Sequence, residues 1–589
     1  MSLRSFSLDR ILLLFLSAIS ILFSSGCAST DQPSASATQS AMVVTANPHA
    51  SKAGRDVLAA GGSAMDAAIA IEAVLSLVEP QSSGLAGGAY LLHFEKQTGE
   101  VTAYDGRETA PAAISDTQFL QESGESIGFL NAKNSGLSTG VPGVLAMLQL
   151  AHKDHGQLDW GEHFNAAIEL AENGFSVSPR LAGMIERFGK YIPSTPEQGP
   201  TQAYDYFFDD NGAALTAGTV LTNLDYARTL KKLAQSPNDF YTGDIAAAIV
   251  AKVQEPPRAG AMQATDLAAY APLKHSALCT DYKGYTLCGP PPSSSWVAVG
   301  QIMGLIEHSH GFSEGGADTP ANWALFAEAQ RLAYSDRDHY VADNTFVDVP
   351  LQGMLSPAYL QSRAALINAN SMTQDISHGD PWSYQAPDLK VALGEDATND
   401  MAGTTHFVVV DHNGNVVSMT ASVESIFGST RMVGGMFLNN QLTDFSFKPK
   451  DDQGVPIANR IQANKRPRSS MSPTIVFDAQ GEFVMATGSP GGNSIIAYTA
   501  KTLVGVLDWG LTPQQAIDLP NLVARGEQVR IEKERASSAL IQGLRDYGYT
   551  VHESAGENSG LSVVVRRNNG TLVGGADPRR EGTIEELNP

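Results

Sequence analysis

The stretch Asn399–Ser446 constrains this chain most. It opens N-D-M-A-G-T-T-H-F-V-V-V-D, so Gly403 stands directly before Thr404 and Thr405. β-Branched and aromatic residues run from Phe407 to Val410, and a second strand-like run covers Asn415–Thr420. Between them His412-Asn413-Gly414 predicts a three-residue hairpin loop with Gly414 in the left-handed position. Asp411 then faces Asn415, and counting back along the ladder sets Ser422 opposite Thr404, within cross-strand reach.

A threonine hydroxyl is a poor nucleophile unless a base lies beside it. Cutting the Gly403–Thr404 bond would supply one, because the new α-amine of Thr404, with an ordinary pKa near ~8, can take the proton. Gly403 has no Cβ, so that bond can be approached closely. The same residues also read as an ordinary internal strand, where threonine is common.

Further motifs separate these readings. N-N-Q-L-T-D-F-S (Asn439–Ser446), K-R-P-R-S-S-M-S-P-T-I-V (Lys465–Val476) and G-S-P-G-G (Gly488–Gly492) follow the hairpin in order. N-P-H-A-S-x-A-G (Asn47–Gly54) and D-G-R-E-T-A-P (Asp105–Pro111) precede it. Together they resemble the γ-glutamyltransferase (glutathione hydrolase) family of N-terminal nucleophile hydrolases, over about Met42 to Arg579.

The resemblance implies an α/β (α+β) protein, a four-layer αββα sandwich built from one precursor. Residues 42–403 would be the large subunit and 404–589 the small one, parted by cleavage between Gly403 and Thr404. Thr404 would attack a γ-glutamyl amide, glutathione being the natural donor, and pass the acyl group to water or to an amino acid or peptide. Gly491 and Gly492 match the oxyanion hole, and Ser422 would orient the terminal amine. Arg107 would clamp the substrate α-carboxylate, a task suited to a planar, permanently charged fork. Ser469 and Ser470 would assist it, while Gln441 and Asp444 would hold the α-amino group. Glu424 stands where the family commonly has Asn. The lid region 447–464 is short and carries no aromatic after Phe447. These two departures motivate an alternative, a glutaryl or cephalosporin acylase on the same fold. A second alternative is an uncleaved, inactive binding lipoprotein. No metal or organic cofactor is implied.

The rest of the chain bounds these readings. A net charge of −23 argues against nucleic acid, since phosphate binding needs a basic face. Arg4 and Arg10 precede an apolar run, Ile11–Phe23, short for a bilayer span and suited to a signal peptide over residues 1–26. Ser24-Ser25-Gly26-Cys27 resembles a bacterial lipoprotein cleavage site, with Cys27 lipidated; a conventional signal peptide is the alternative. Either implies export, to the periplasm or as an anchored lipoprotein, with residues 27–41 as a flexible tether. The only membrane contact expected is that lipid.

Ser63 and Asp66 predict a capping box opening a buried helix over Ala67–Val78. Lys283-Gly284 suits a two-residue hairpin turn that pairs Cys279 with Cys288. In an exported protein that pair predicts a disulfide; two reduced core thiols are the alternative. Gly136–Gly140 fits G-x-S-x-G, but a poor strand precedes Ser138, against a nucleophile elbow. His308 and His310 lack a third metal ligand in sequence and read as a solvated helix end. Residues 371–399 read as an exposed linker ending at the cleavage point.

Overall fold

The computed structural model describes residues 40–386, 392–396, 398, 403–556 and 559–588. Residues 1–26, Cys27 and most of the expected tether lie outside them.

Alternation along the strands sets the layers, because successive side chains leave a strand on opposite faces. In Ala41–Thr45, Met42 and Val44 join one core while Ala41 and Val43 join another. In Gly403–Val410 the same split separates Val408 and Val410 from Phe407 and Val409. Both belong to a seven-stranded antiparallel sheet. Its order is Thr583–Leu587, Ala41–Thr45, Gly403–Val410, Val416–Glu424, Gly88–Glu95, Glu100–Asp105, Leu273–Ser276. A six-stranded antiparallel sheet faces it, ordered Leu572–Ala576, Ser562–Arg566, Phe483–Gly488, Thr474–Phe477, Tyr285–Gly289, Leu278–Tyr282.

Met42, Val44, Val408 and Val410 meet Ile475, Phe477, Ala486 and Val564 between the two sheets. The outer face of the first sheet packs on helices Ala64–Val78 and Val144–His155. The outer face of the second packs on Trp296–His308, Pro320–Tyr340 and Ile495–Leu507. This is the αββα sandwich the resemblance implied.

Ser63 opens the first of these helices with a capping box: its N–H donates to Asp66 Oδ2 (2.8 Å) and the Asp66 N–H to Ser63 Oγ (3.2 Å). All fifteen residues of Ala64–Val78 are buried, as expected of a helix apolar on every side. Glu72, like the capping Asp66, is an exception in character. Burial, moderated by the Ser83 hydroxyl, pushes its carboxyl up to about 8. The folded value exceeds the unfolded one, so this group's contribution to stability is complete below about pH 4.5 and is lost as pH rises through about 8. Glu72→Gln stays neutral and should unfold about 3 °C above wild type at pH 8.5 but close to it at pH 5. Thermal melts at the two pH values check this; an equal shift at both would refute it.

Cys279 faces Cys288 in register, and a disulfide joins them. Lys283 (φ 47°) and Gly284 (φ 84°) supply the two left-handed residues of their turn. The helix Trp296–His308 ends at the first of the two sequence-paired histidines. The expected exposed linker is partly packed instead. Trp382, in the short turn Pro381–Tyr384, is 4% exposed against Val297 and Met354, and the Thr373 N–H donates to Glu328 Oε2 (3.1 Å). One aromatic with an apolar slot to fill outweighs the polar composition around it. Residues 387–391 and 399–402, next to the expected cut, lie outside the described residues.

Candidate active site

The hairpin builds the centre of the site. Gly414 takes φ 83° and the Asp411 N–H donates to the Asn415 carbonyl (3.0 Å). Those two features fix the register, which sets Ser422 opposite Thr404. The Thr404 hydroxyl donates to Ser422 Oγ (3.1 Å), and Ser422 Oγ donates to the Gly403 carbonyl (2.8 Å). A proton path of two hydroxyls therefore links the candidate nucleophile to the carbonyl it would attack. The Thr404 carbonyl accepts from Arg580 Nη1 (2.6 Å).

A bulge after Ser422 turns the strand. There Glu424 adopts φ 79°, and its N–H donates to Ser422 Oγ (2.8 Å). A bulge re-aims a side chain, here bringing the Glu424 carboxylate to the Ser425 hydroxyl and the Asn440 amide. Gly403 is forced by the same feature. A Cβ there would lie 2.4 Å from the Glu424 carbonyl oxygen and 2.5 Å from the Ser425 carbonyl carbon.

One small pocket gathers Thr404, Ser422, Glu424, Gln441, Asp444, Ser469, Ser470 and Gly492. Gly491 lies on the wall of the neighbouring cavity, with φ 141°; Gly492 follows with φ 56°. Both conformations favour glycine, and the turn they make leads into the helix Ile495–Leu507.

Arg107 follows strand Glu100–Asp105 and is wholly buried behind the pocket. Its Nη2 donates to Asp444 Oδ2 (2.5 Å) and to the Arg468 carbonyl (2.8 Å), and its Nε donates to the Pro467 carbonyl (3.1 Å). Gln441 Nε2 also donates to Asp444 Oδ2 (2.9 Å). Arg107 Nη1 makes no hydrogen bond and lies 3.6 Å from the Glu108 carboxyl, which burial pushes up to about 8. The site therefore presents a fixed cation beside Asp444, with the Glu108 carboxyl held above its ordinary range by burial. Paired opposite charges of this kind complement the ammonium and carboxylate of an amino-acid head group.

Several contributors were not singled out from the sequence. Arg337, in the buried helix Pro320–Tyr340, donates from Nη2 to Ser470 Oγ (2.7 Å) and from Nε to Ser295 Oγ (3.0 Å). A charged residue in a helix otherwise buried was the available signal. Arg580 follows the D-P-R run, yet nothing local ties it to Thr404, 176 residues away. Lys465 fastens the region read as a lid: Nζ donates to the carbonyls of Ala458 (2.6 Å) and Arg460 (3.0 Å), while Phe447 stacks on Phe119. Ser138 takes no part. It lies in the turn Gly136–Ser138 behind a helix, Phe129–Lys133, and its hydroxyl is spent on the carbonyls of Lys133 and Ser135.

The family model described as gamma-glutamyltranspeptidase matches residues 50–587. A glutathione hydrolase proenzyme of Bacillus subtilis (strain 168) is 34% identical over 553 residues, 93% of this chain and 91% of that protein. An acylase ACY 1 proenzyme of Pseudomonas sp. (strain SE83) is 31% identical over 554 residues, 92% of each. The crystal structure of a cephalosporin acylase from Bacillus halodurans superposes with a TM-score of 0.79 at 25% identity, covering 96% of this chain and 99% of that one.

Proposed function

This chain belongs to the gamma-glutamyltranspeptidase family, and from that premise we propose that it is a self-cleaving γ-glutamyltransferase and glutathione hydrolase. The observation that carries the reading is the run Thr404 Oγ1, Ser422 Oγ, Gly403 carbonyl, at 3.1 and 2.8 Å.

In the precursor Thr404 Oγ attacks the Gly403 carbonyl carbon, the C–N bond breaks, and water hydrolyses the resulting ester. Thr404 then carries a free α-amine. In the mature enzyme that amine takes the hydroxyl proton as Oγ attacks a γ-glutamyl carbonyl, then passes it to the leaving amine. The Gly491 and Gly492 N–H groups stabilise the oxyanion, at about 2.7–4 kcal/mol for such a donor. Arg107, Ser469 and Ser470 receive the substrate α-carboxylate; Asp444, Gln441 and Glu424 receive its ammonium. Water, or an acceptor amine, releases the acyl group. The apolar leader and Cys27 support export and anchoring by a lipid; among the described residues no helix is long and apolar enough to cross a membrane.

The acylase relatives favour a second reading, a glutaryl amidase. A glutaryl group has no ammonium, so it would bring no cation of its own to Glu424 and Asp444. Mature enzyme should cleave γ-glutamyl p-nitroanilide at least about 100-fold better than the glutaryl anilide in kcat/KM. A preference for the glutaryl compound would replace the first reading with the second.

A further inference from the structure

Away from the nucleophile, three elements bring one carboxylate and two imidazoles together. Asp66 stands in the first turn of helix Ala64–Val78, His152 in the last turn of helix Val144–His155, and His163 in the short turn Trp160–Phe164. Asp66 Oδ1 lies 2.7 Å from His163 Nε2 and 3.6 Å from His152 Nε2. The Leu158 carbonyl oxygen lies 2.9 Å from the same His152 nitrogen. The Asp66 and His163 side chains are wholly buried, and that of His152 is 19% exposed, which leaves one way in from solvent.

Each contributor is held by further contacts. Asp66 Oδ2 accepts from the N–H groups of Ser63 (2.8 Å), Gln157 (2.9 Å) and Leu158 (3.3 Å) and from Ser63 Oγ (3.0 Å), while Oδ1 turns to the imidazoles. His163 Nδ1 donates to the Trp160 carbonyl (2.9 Å). A carbonyl only accepts, so a ring proton sits on Nδ1 and Nε2 is turned to a carboxylate oxygen. Something positive must lie between those two atoms, a second ring proton or a metal ion. The His152 ring has its place because residue 156 is glycine: a Cβ on Gly156 would lie 2.5 Å from His152 Nε2. The His152 and His163 rings stand at 90°, and the three candidate ligand atoms lie within 4.8 Å of one another.

Metal-bound histidines place their far ring N–H on a carbonyl or carboxylate, and metal-bound carboxylates are themselves hydrogen-bonded. Both features are present here. A tetrahedral zinc ion with bonds of about 2.0–2.1 Å has neighbouring ligand atoms about 3.3 Å apart. The observed 2.7, 2.9 and 3.6 Å bracket that spacing. Two imidazoles with one carboxylate suit zinc better than calcium or magnesium, which take oxygen ligands.

We propose that Asp66, His152 and His163 form a zinc site, completed by the Leu158 carbonyl. The ion is structural, tying the start of one outer helix to the end of its neighbour. The Ala64 N–H donates to Asp411 Oδ2 (3.1 Å), at the turn end of the catalytic hairpin. The strand from there back to Thr404, Gly403–Val410, spans on the order of 25 Å, so the ion touches no substrate.

The test strips the purified full chain with a chelator and titrates zinc by calorimetry, with thermal melts alongside. Wild type should take up one ion per chain at the site. Its Tm should rise by about 2–3 °C when free zinc is about 100-fold above Kd. His163→Gln and His152→Gln should each weaken that binding at least about 10-fold, as loss of a supporting contact already does, and should flatten the Tm rise. His152 is partly exposed, so His152→Gln keeps a readout if His163→Gln does not fold. No uptake overturns the proposal and leaves Asp66 and His163 as a bare ion pair. Uptake that neither substitution weakens places the ion elsewhere and overturns it equally. Neither result bears on Thr404 as the nucleophile.

Discussion

Thr404→Ala should run on a denaturing gel as one uncut polypeptide near 62 kDa, less whatever leader is removed, and should show no γ-glutamyl hydrolysis. Both losses have one cause. The methyl group left by the substitution cannot attack the Gly403 carbonyl, so no α-amine is released, and it cannot attack a substrate either. Removing a nucleophile whose partners act as a unit costs on the order of 10⁴-fold or more. Thr404→Ser keeps the hydroxyl that donates to Ser422 and should still cut itself, more slowly, since the lost methyl no longer fixes the rotamer. Wild type should give two bands, the smaller beginning at Thr404 by N-terminal sequencing. An intact wild-type chain with full activity would end this reading and favour the uncleaved alternative.

Arg107→Lys has the next largest expected effect. It keeps the charge and removes the fork, which holds Asp444, the Arg468 carbonyl and the Pro467 carbonyl at once. A lysine ammonium cannot satisfy those three acceptors in that geometry and also meet a carboxylate. Breaking one side of a buried pair costs about 3–5 kcal/mol when the partner charge is left without compensation. Here the charge persists, so the expected loss in kcat/KM is about 10²–10³-fold. Processing should continue, because none of the Gly403, Thr404 and Ser422 contacts passes through Arg107. A variant that hydrolyses γ-glutamyl anilide within threefold of wild type would remove Arg107 from substrate binding.

The site was legible where it is local. A glycine closing a three-residue loop sets the register, and register alone brings Ser422 to Thr404. The Ser63 capping box and the Cys279–Cys288 pairing were readable on the same terms, from turn chemistry and short spacing. Contacts made by folding distant segments together were not. Arg580 and Arg337 reach the site from separate elements, and a lone cation in a sequence has no signature of what it will face. The bulge at Glu424 was also hidden, so strand alternation alone could not show its carboxylate meeting Asn440. Composition misled over residues 371–386, where Trp382 anchors a polar segment.

The strand order in the first sheet has a consequence for the two chains that cleavage would make. Ala41–Thr45 belongs to the large one, yet its neighbours on both sides, Thr583–Leu587 and Gly403–Val410, fall almost entirely in the small one. On the far side of the hairpin, Val416–Glu424 of the small chain pairs with Gly88–Glu95 of the large one. The fragments are thus woven through a shared ladder of backbone hydrogen bonds, and pulling them apart means unravelling the sheet. Such a pair has no exchange of partners open to it: each large fragment stays for life with the small fragment synthesised alongside it.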